Sequence, residues 1–313
     1  MIAFLYPGQG SQFVGMCMDF YFHFDKARKL LDEANEILGI NITKIMFNGP
    51  EQELKETKNA QIAIFLHSMV VSSLLFEEGI VPNYIAGHSL GEHSALVIAG
   101  AISFGEGLKL IRLRGELMTE AGVHSPGKMA AIIGLSFDRV NEICKNVSSN
   151  NVIVNIANHN TSSQVVVSGE SGGVRNVCEI AINSGAKRVV FLPVSGAFHS
   201  PLMREAQENF QNILQDIKIS DAKTPIIANT SGEVIFEKEK IKEELKTHML
   251  SPVRWLESMQ KMCELGVDIF VETGSGKILK AMLLEMDRKR TIFSTFNVNE
   301  FDYTRRSLRN GSV

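Results

Sequence analysis

The chain has 313 residues, 44% of them hydrophobic and 21% charged, with a formal net charge of −3. That is the make-up of a globular protein with a full core, and without a basic excess it argues against nucleic acid or another polyanion as partner. The cysteines Cys17, Cys144, Cys178 and Cys263 are far apart and form no C-x-x-C pair, so free thiols in a reducing, cytoplasmic setting are expected rather than a disulfide framework or a metal site.

IAFLYP (2–7) reads as a first strand running into the glycine-rich turn PGQGSQ, not as a signal peptide. FDKARKLLDEANEIL (24–38) has helical periodicity, and QIAIFLHSMVVSSLLFEEG (61–79) reads as a buried helix closed by Gly79. Its apolar run is interrupted by His67, Ser68, Ser72 and Ser73 and is expected to fall short of the roughly 18 apolar residues of a membrane span. NYIAGHS (83–89) is a short strand, LGEHSALVIAGA (90–101) a helix, and FGEGLKLIRLRGELMTEAG (104–122) an amphipathic helix.

The rhythm then changes. A strand at 125–135, a helix at 136–147, strands at 152–160 and 162–170, a helix at 171–186 and a strand at 187–195 give the order βαββαβ, a split-βαβ unit. The expectation is a small lobe at 126–197 inserted in a larger α/β body made of 1–125 and 198–313, whose sheet is mainly parallel. The rest of the chain supplies a polar helix from about 201, a strand near TPIIANTS, the charged helix EKEKIKEEL, the strand DIFVETG and the helix ILKAMLLEM.

Gly87-His88-Ser89-Leu90-Gly91 has the form G-x-S-x-G between an apolar strand and an alanine-rich helix. Glycines there permit a sharp turn that lifts the serine, and the helix N-terminus offers N–H groups to a developing oxyanion. Ser89 is the expected nucleophile. His88, Glu92 and His93 miss the H-x-x-E-H spacing and H-E-x-x-H is absent, so no metal is expected there. Among the eight histidines, His199 in VSGAFHSPLM is best placed as base: it follows a predicted strand, in a loop with Gly196 and before Pro201. PGQGSQ lacks G-K-[ST], and Phe13 stands at the third position of G-x-G-x-x-G, so the turn is read as a source of a backbone N–H rather than as a phosphate cradle.

PGQGSQ, AGHSLGEHSAL, RLRGELM, PGKMAAIIGL, AFHSPLM and SPVRW occur in the order found in the malonyl-CoA:acyl carrier protein transacylases, the acyltransferase family of fatty-acid and polyketide synthesis, and the chain resembles that family from end to end. The resemblance implies a hydrolase-like α/β body with a ferredoxin-like small subdomain and the active site between them. It implies Ser89 as the acylated residue, His199 as its base, and the backbone N–H groups of Gln9 and Leu90 as the oxyanion hole. Arg114 would bind the malonyl carboxylate, a task suited to a planar, permanently charged fork. Phe198 would exclude the branch methyl of methylmalonyl. His248 stands where the family commonly has glutamine or asparagine, a position that helps orient the catalytic histidine, and it is counted with the substrate-binding residues. Ser275 replaces a proline of the family's Gly-Pro-Gly turn, which should affect only that turn.

The implied reaction passes malonyl from coenzyme A through Ser89 to the phosphopantetheine thiol of acyl carrier protein, with no metal or bound cofactor. The implied partners are acyl carrier protein and a coenzyme A thioester, with no membrane, and the protein is expected to be a monomer. Lys187 and Arg188 are possible contacts for an acidic carrier protein. Alternatives are a discrete acyltransferase of a polyketide synthase, an acyl-carrier-protein hydrolase, which Arg114 disfavours, and a non-catalytic binding module, which the presence of both Ser89 and His199 disfavours.

Overall fold

The computed structural model describes residues 1–148 and 152–309. Its strands are β1 (Ile2–Tyr6), β2 (Tyr84–Gly87), β3 (Gly127–Ile133), β4 (Val154–Thr161), β5 (Gln164–Glu170), β6 (Arg188–Phe191), β7 (Ile226–Ile227), β8 (Val234–Ile235), β9 (Ile269–Glu272) and β10 (Thr291–Ser294). Six of them form one sheet in the order β10-β9-β1-β2-β7-β8, parallel throughout except for β8.

Alternation along these strands places helices on both faces. Phe4 and Tyr6 of β1 join one core, and Ala3 and Leu5 join the other. The first core packs against helices Asp25–Leu38, Thr57–Glu77, Phe104–His124 and Arg204–Leu214. The second packs against Trp255–Glu264 and Ile278–Met286.

β3, β4, β5 and β6 make a separate antiparallel sheet in the order β4-β5-β3-β6, covered by helices Phe137–Ser148 and Ser171–Asn183 over an apolar core of its own. Chain order within it is βαββαβ, as the sequence pattern predicts. The antiparallel sheet meets the larger body through an isolated bridge from Asn158 to Val253, which lies just before the Trp255–Glu264 helix, and through side-chain pairs such as His159 Nδ1–Glu257 Oε1 at 3.1 Å.

One expectation needs correction. The Thr57–Glu77 helix is long and apolar enough to cross a membrane, with a mean hydropathy of 1.5. Its serines and histidine do not lower that average far enough. What distinguishes it from a span is its place between the sheet and the Phe104–His124 helix, which buries 89% of the apolar window inside the protein.

Candidate active site

The site lies where the C-terminal ends of β1, β2 and β7 come together, the usual binding edge of an open parallel sheet. β2 stops at Gly87 and the Leu90–Ile98 helix starts three residues later. Between them Ser89 takes φ 50° and ψ −106°, a conformation that side-chain-bearing residues rarely adopt and that stores about 1–3 kcal/mol. The flanking glycines are required by space. A Cβ on Gly87 would sit 1.9 Å from the carbonyl carbon of Gly91, and one on Gly91 would sit 2.1 Å from the carbonyl oxygen of Tyr6. Asn229, just beyond β7, holds the turn: its Oδ1 accepts the Ser89 N–H at 2.7 Å and its Nδ2 donates to the Gly87 carbonyl at 2.6 Å.

The Ser89 hydroxyl lies 2.7 Å from His199 Nε2. On the other side of the ring, Nδ1 faces the carbonyl oxygens of Ser251 at 2.9 Å and His248 at 3.1 Å. Carbonyls only accept, so Nδ1 carries the hydrogen and Nε2 is left as acceptor for the serine O–H. His199 itself has a left-handed φ of 57°. Its carbonyl accepts from Asn155 Nδ2 at 2.8 Å, which ties the small sheet to the histidine loop. Burial, followed by the neighbouring His248 and the Arg114 guanidinium, holds the His199 ring well below the usual histidine range, so it is neutral at physiological pH.

Arg114 comes from the Phe104–His124 helix and is 1% exposed. One guanidinium nitrogen donates to Gln61 Oε1 at 2.8 Å and another to the Ser89 hydroxyl at 3.2 Å, while Nε has no partner. Burial lowers its pKa only to about 10, so it stays charged. The carboxyl whose charge acts on it is Glu92, and burial pushes Glu92 up to about 8, where it is mostly protonated at neutral pH. Among the described residues Arg114 makes no ion pair, so a buried cation lies beside the Ser89 hydroxyl without a carboxylate in contact.

A cleft of about 200 Å³ opens over this group. Ser89, Leu90, Gln9, Arg114, Phe198 and His199 all line it, with apolar walls from the small sheet such as Met129 and Val166. Among the described residues, the backbone N–H groups of Gln9 and Leu90 donate no hydrogen bond to other protein groups, and both border the cleft beside Ser89. Phe198 is 5% exposed with its ring in the wall.

His248 is placed differently from the expectation that it binds substrate. It follows the Lys238–Thr247 helix and its ring is buried behind His199, centroids 5.7 Å apart, outside the cleft lining. Its backbone carbonyl, not its side chain, takes the hydrogen bond from His199 Nδ1. Ser275 reaches beyond its own turn: its hydroxyl pairs with Ser11 Oγ at 2.8 Å, and Ser11 in turn donates to the Gly8 carbonyl, bracing the N-terminal glycine turn. Asn229, Gln61 and Ser251 escaped the sequence reading. Asn229 could have been suspected as the polar residue that ends a strand next to β2, and Gln61 as a buried amide at the head of an apolar helix; Ser251 acts through its carbonyl, which no side-chain pattern reveals.

Residues 3–289 match the acyl transferase domain family. The chain belongs to that family. It is 43% identical over 288 residues to the malonyl CoA-acyl carrier protein transacylase of Bacillus subtilis, covering 92% of this chain and 91% of the relative. It is 40% identical over 286 residues to the enzyme of the same name from Staphylococcus aureus strain MRSA252, covering 91% and 92%. Among solved structures, the malonyl-transacylase bound to a type II polyketide acyl-carrier protein superposes with a TM-score of 0.94 at 32% identity, over 98% of this chain and 99% of that one. The Streptococcus pneumoniae protein gives 0.93 at 34% identity, over 98% and 100%. The chain is thus an acyltransferase, with a mainly parallel sheet and a separate antiparallel one.

Proposed function

We propose that this acyltransferase moves malonyl from malonyl-CoA to the phosphopantetheine thiol of acyl carrier protein through a malonyl-Ser89 ester. The observation that carries the proposal is the buried Arg114 guanidinium, 3.2 Å from the Ser89 hydroxyl and in no ion pair among the described residues. A neutral acyl chain would leave that charge unpaired, whereas a donor with a carboxylate one methylene from its thioester carbonyl completes it.

His199 Nε2 takes the serine proton as the hydroxyl attacks the thioester carbonyl. The two carbonyls on Nδ1 hold the ring and stabilise the imidazolium, the part a carboxylate plays in a Ser-His-Asp triad. The oxyanion rests on the N–H groups of Gln9 and Leu90, the latter at a helix N-terminus. Coenzyme A leaves with the proton from His199, and the carrier thiol then attacks the ester by the reverse path. Side chains and backbone amides suffice for each step, so no metal or bound cofactor is invoked. The Phe198 ring fills the wall against a branched donor.

The lobes are taken as 1–125 with 198–313, and 126–197, because among the described residues the two sheets share no ladder and the smaller has its own core. The protein acts as a cytoplasmic monomer. Lys187 and Arg188 are exposed, but they lie at the opposite end of β6 from the cleft-lining Leu192, which makes them peripheral to carrier docking.

The test is intact-protein mass after brief exposure to malonyl-CoA, followed by phosphopantetheinylated acyl carrier protein. A malonyl adduct mapping to Ser89 and discharged by the carrier supports the proposal. An adduct that decays as fast in buffer indicates a hydrolase, and its absence overturns the transferase reading.

A further inference from the structure

Beneath the catalytic pair lies a group of buried polar side chains that the mechanism does not use. Glu92, three residues after the nucleophile, accepts the Asn229 N–H at Oε2 (3.2 Å), and the same oxygen is 3.2 Å from His248 Nε2. Both side chains are 1% exposed. Asn229 holds the Ser89 turn, and the backbone carbonyl of His248 orients His199. Glu92 is therefore the node at which the supports of both halves of the dyad meet. Glu244, on the helix that His248 follows, accepts from the Thr230 N–H at 2.9 Å and from the Thr230 hydroxyl, which closes the ring of contacts.

We propose that Glu92 and His248 are positioning residues for the Ser89–His199 pair: the Glu92 carboxyl, in reach of both the Asn229 N–H and the His248 ring, braces the nucleophile turn against the segment whose carbonyl orients the base. The proposal rests on the reading of Ser89 and His199 given above. The Glu92–His248 contact is close enough for an ion pair but is not aligned as a hydrogen bond, and the other Glu92 oxygen has no partner. Ionisation favours a neutral pair over an ion pair: burial raises Glu92 to about 8 and lowers His248 to about 4, so at neutral pH the proton belongs to the carboxyl. The other titratable groups around them are Glu244, raised to about 7, and His93 and His199, both held well below the usual histidine range. Arg114 supplies the full positive charge.

Glu92, Glu244 and His248 do bring one donor atom each within 4.8 Å of one another. A divalent cation fits less well than a proton. Three donors fall short of the four that a structural zinc takes, both carboxylates already accept backbone N–H groups, and the guanidinium nearby repels a second cation.

The test uses the malonyl-Ser89 acylation rate in the full-length protein. His248→Leu and Glu92→Leu remove the polar contact between the two segments and should slow acylation roughly tenfold or more with KM for malonyl-CoA unchanged, because a small misplacement of reacting groups is expensive in rate. His248→Gln and Glu92→Gln, which keep a hydrogen-bonding group of similar reach, should restore the rate to within about threefold of wild type. Wild type should also show a change in rate as Glu92 loses its proton near pH 8, absent from Glu92→Gln. Leucine variants as fast as wild type, or glutamine variants as slow as leucine, overturn the proposal. Should the leucine variants fail to fold, the pH profile decides: a basic limb persisting in Glu92→Gln overturns it. Failure of wild type to form an adduct would instead sink the underlying reading of the site.

Discussion

Two interiors of this molecule are built on opposite rules. Between the small sheet and its two helices the core is apolar, made of residues such as Ile132, Val140, Val165, Val167 and Val177. Under Ser89, within a few side chains of one another, lie Glu92, His93, Arg114, Asn229, Glu244 and His248, all buried. The first interior lowers free energy by removing hydrocarbon from water. The second holds a desolvated charge, raised carboxyl pKa values and strained backbone, each unfavourable by itself and tolerated where the surrounding fold fixes it. Stability and reactivity are thus separated in space: one core stabilises a lobe, and the other keeps a serine, a histidine and an arginine in register.

Substitutions can sharpen or break that division. Ser89→Ala should abolish acyl transfer, by at least about 10⁴-fold, while the melting temperature stays level or rises, since the strained residue carries little packing. Asn229→Ala should damage both properties. It strips partners from the Ser89 N–H and the Gly87 carbonyl, so unfolding in urea should show a loss of about 2–4 kcal/mol. Acylation should fall with it, by roughly ten- to a hundredfold. Ile132→Val should cost about 0.5–1.5 kcal/mol of stability and leave the acylation rate untouched; a rate loss there would show that the apolar core tunes the site and that the division is false.

The smallest effect concerns pH. Because the folded-state pKa of His199 is depressed, its basic form is present at neutral pH and is lost only as pH falls below the usual histidine range. Acylation by malonyl-CoA should change by less than about twofold between pH 7.5 and 6.5 and decline only under more acidic conditions. An acid limb centred at 6.5 or above would mean that His199 is better solvated than its burial implies.

The same contrast governs what the chain discloses before folding. Periodicity reports apolar cores, so the βαββαβ lobe could be read directly from alternating runs between 125 and 195. The Ser89 turn was legible because steric demand leaves glycines at fixed spacing. Arg114 was singled out only through a family motif, since an arginine on an amphipathic helix has no local signature, whereas His199 stood out already by its loop after a strand, beside Gly196 and Pro201. Asn229 and Ser251 were not singled out because their partners lie far away in sequence: the Asn229 side chain reaches the Ser89 and Gly87 backbone across the β2–β7 pairing, and Ser251 offers only its backbone carbonyl. Short elements such as β8, β10 and the Ile42–Asn48 helix were missed for a related reason: their residues are placed by tertiary contacts rather than by a pattern long enough to recognise.

The most direct measurement is the competition between malonyl-CoA and acetyl-CoA for Ser89, read by adduct mass in wild type and Arg114→Ala. If the unpaired guanidinium selects the donor, wild type should take malonyl almost alone, and the variant should lose roughly a hundredfold or more of malonyl acylation while gaining on acetyl. A variant that still prefers malonyl as strongly as wild type would show that some other group reads the carboxylate.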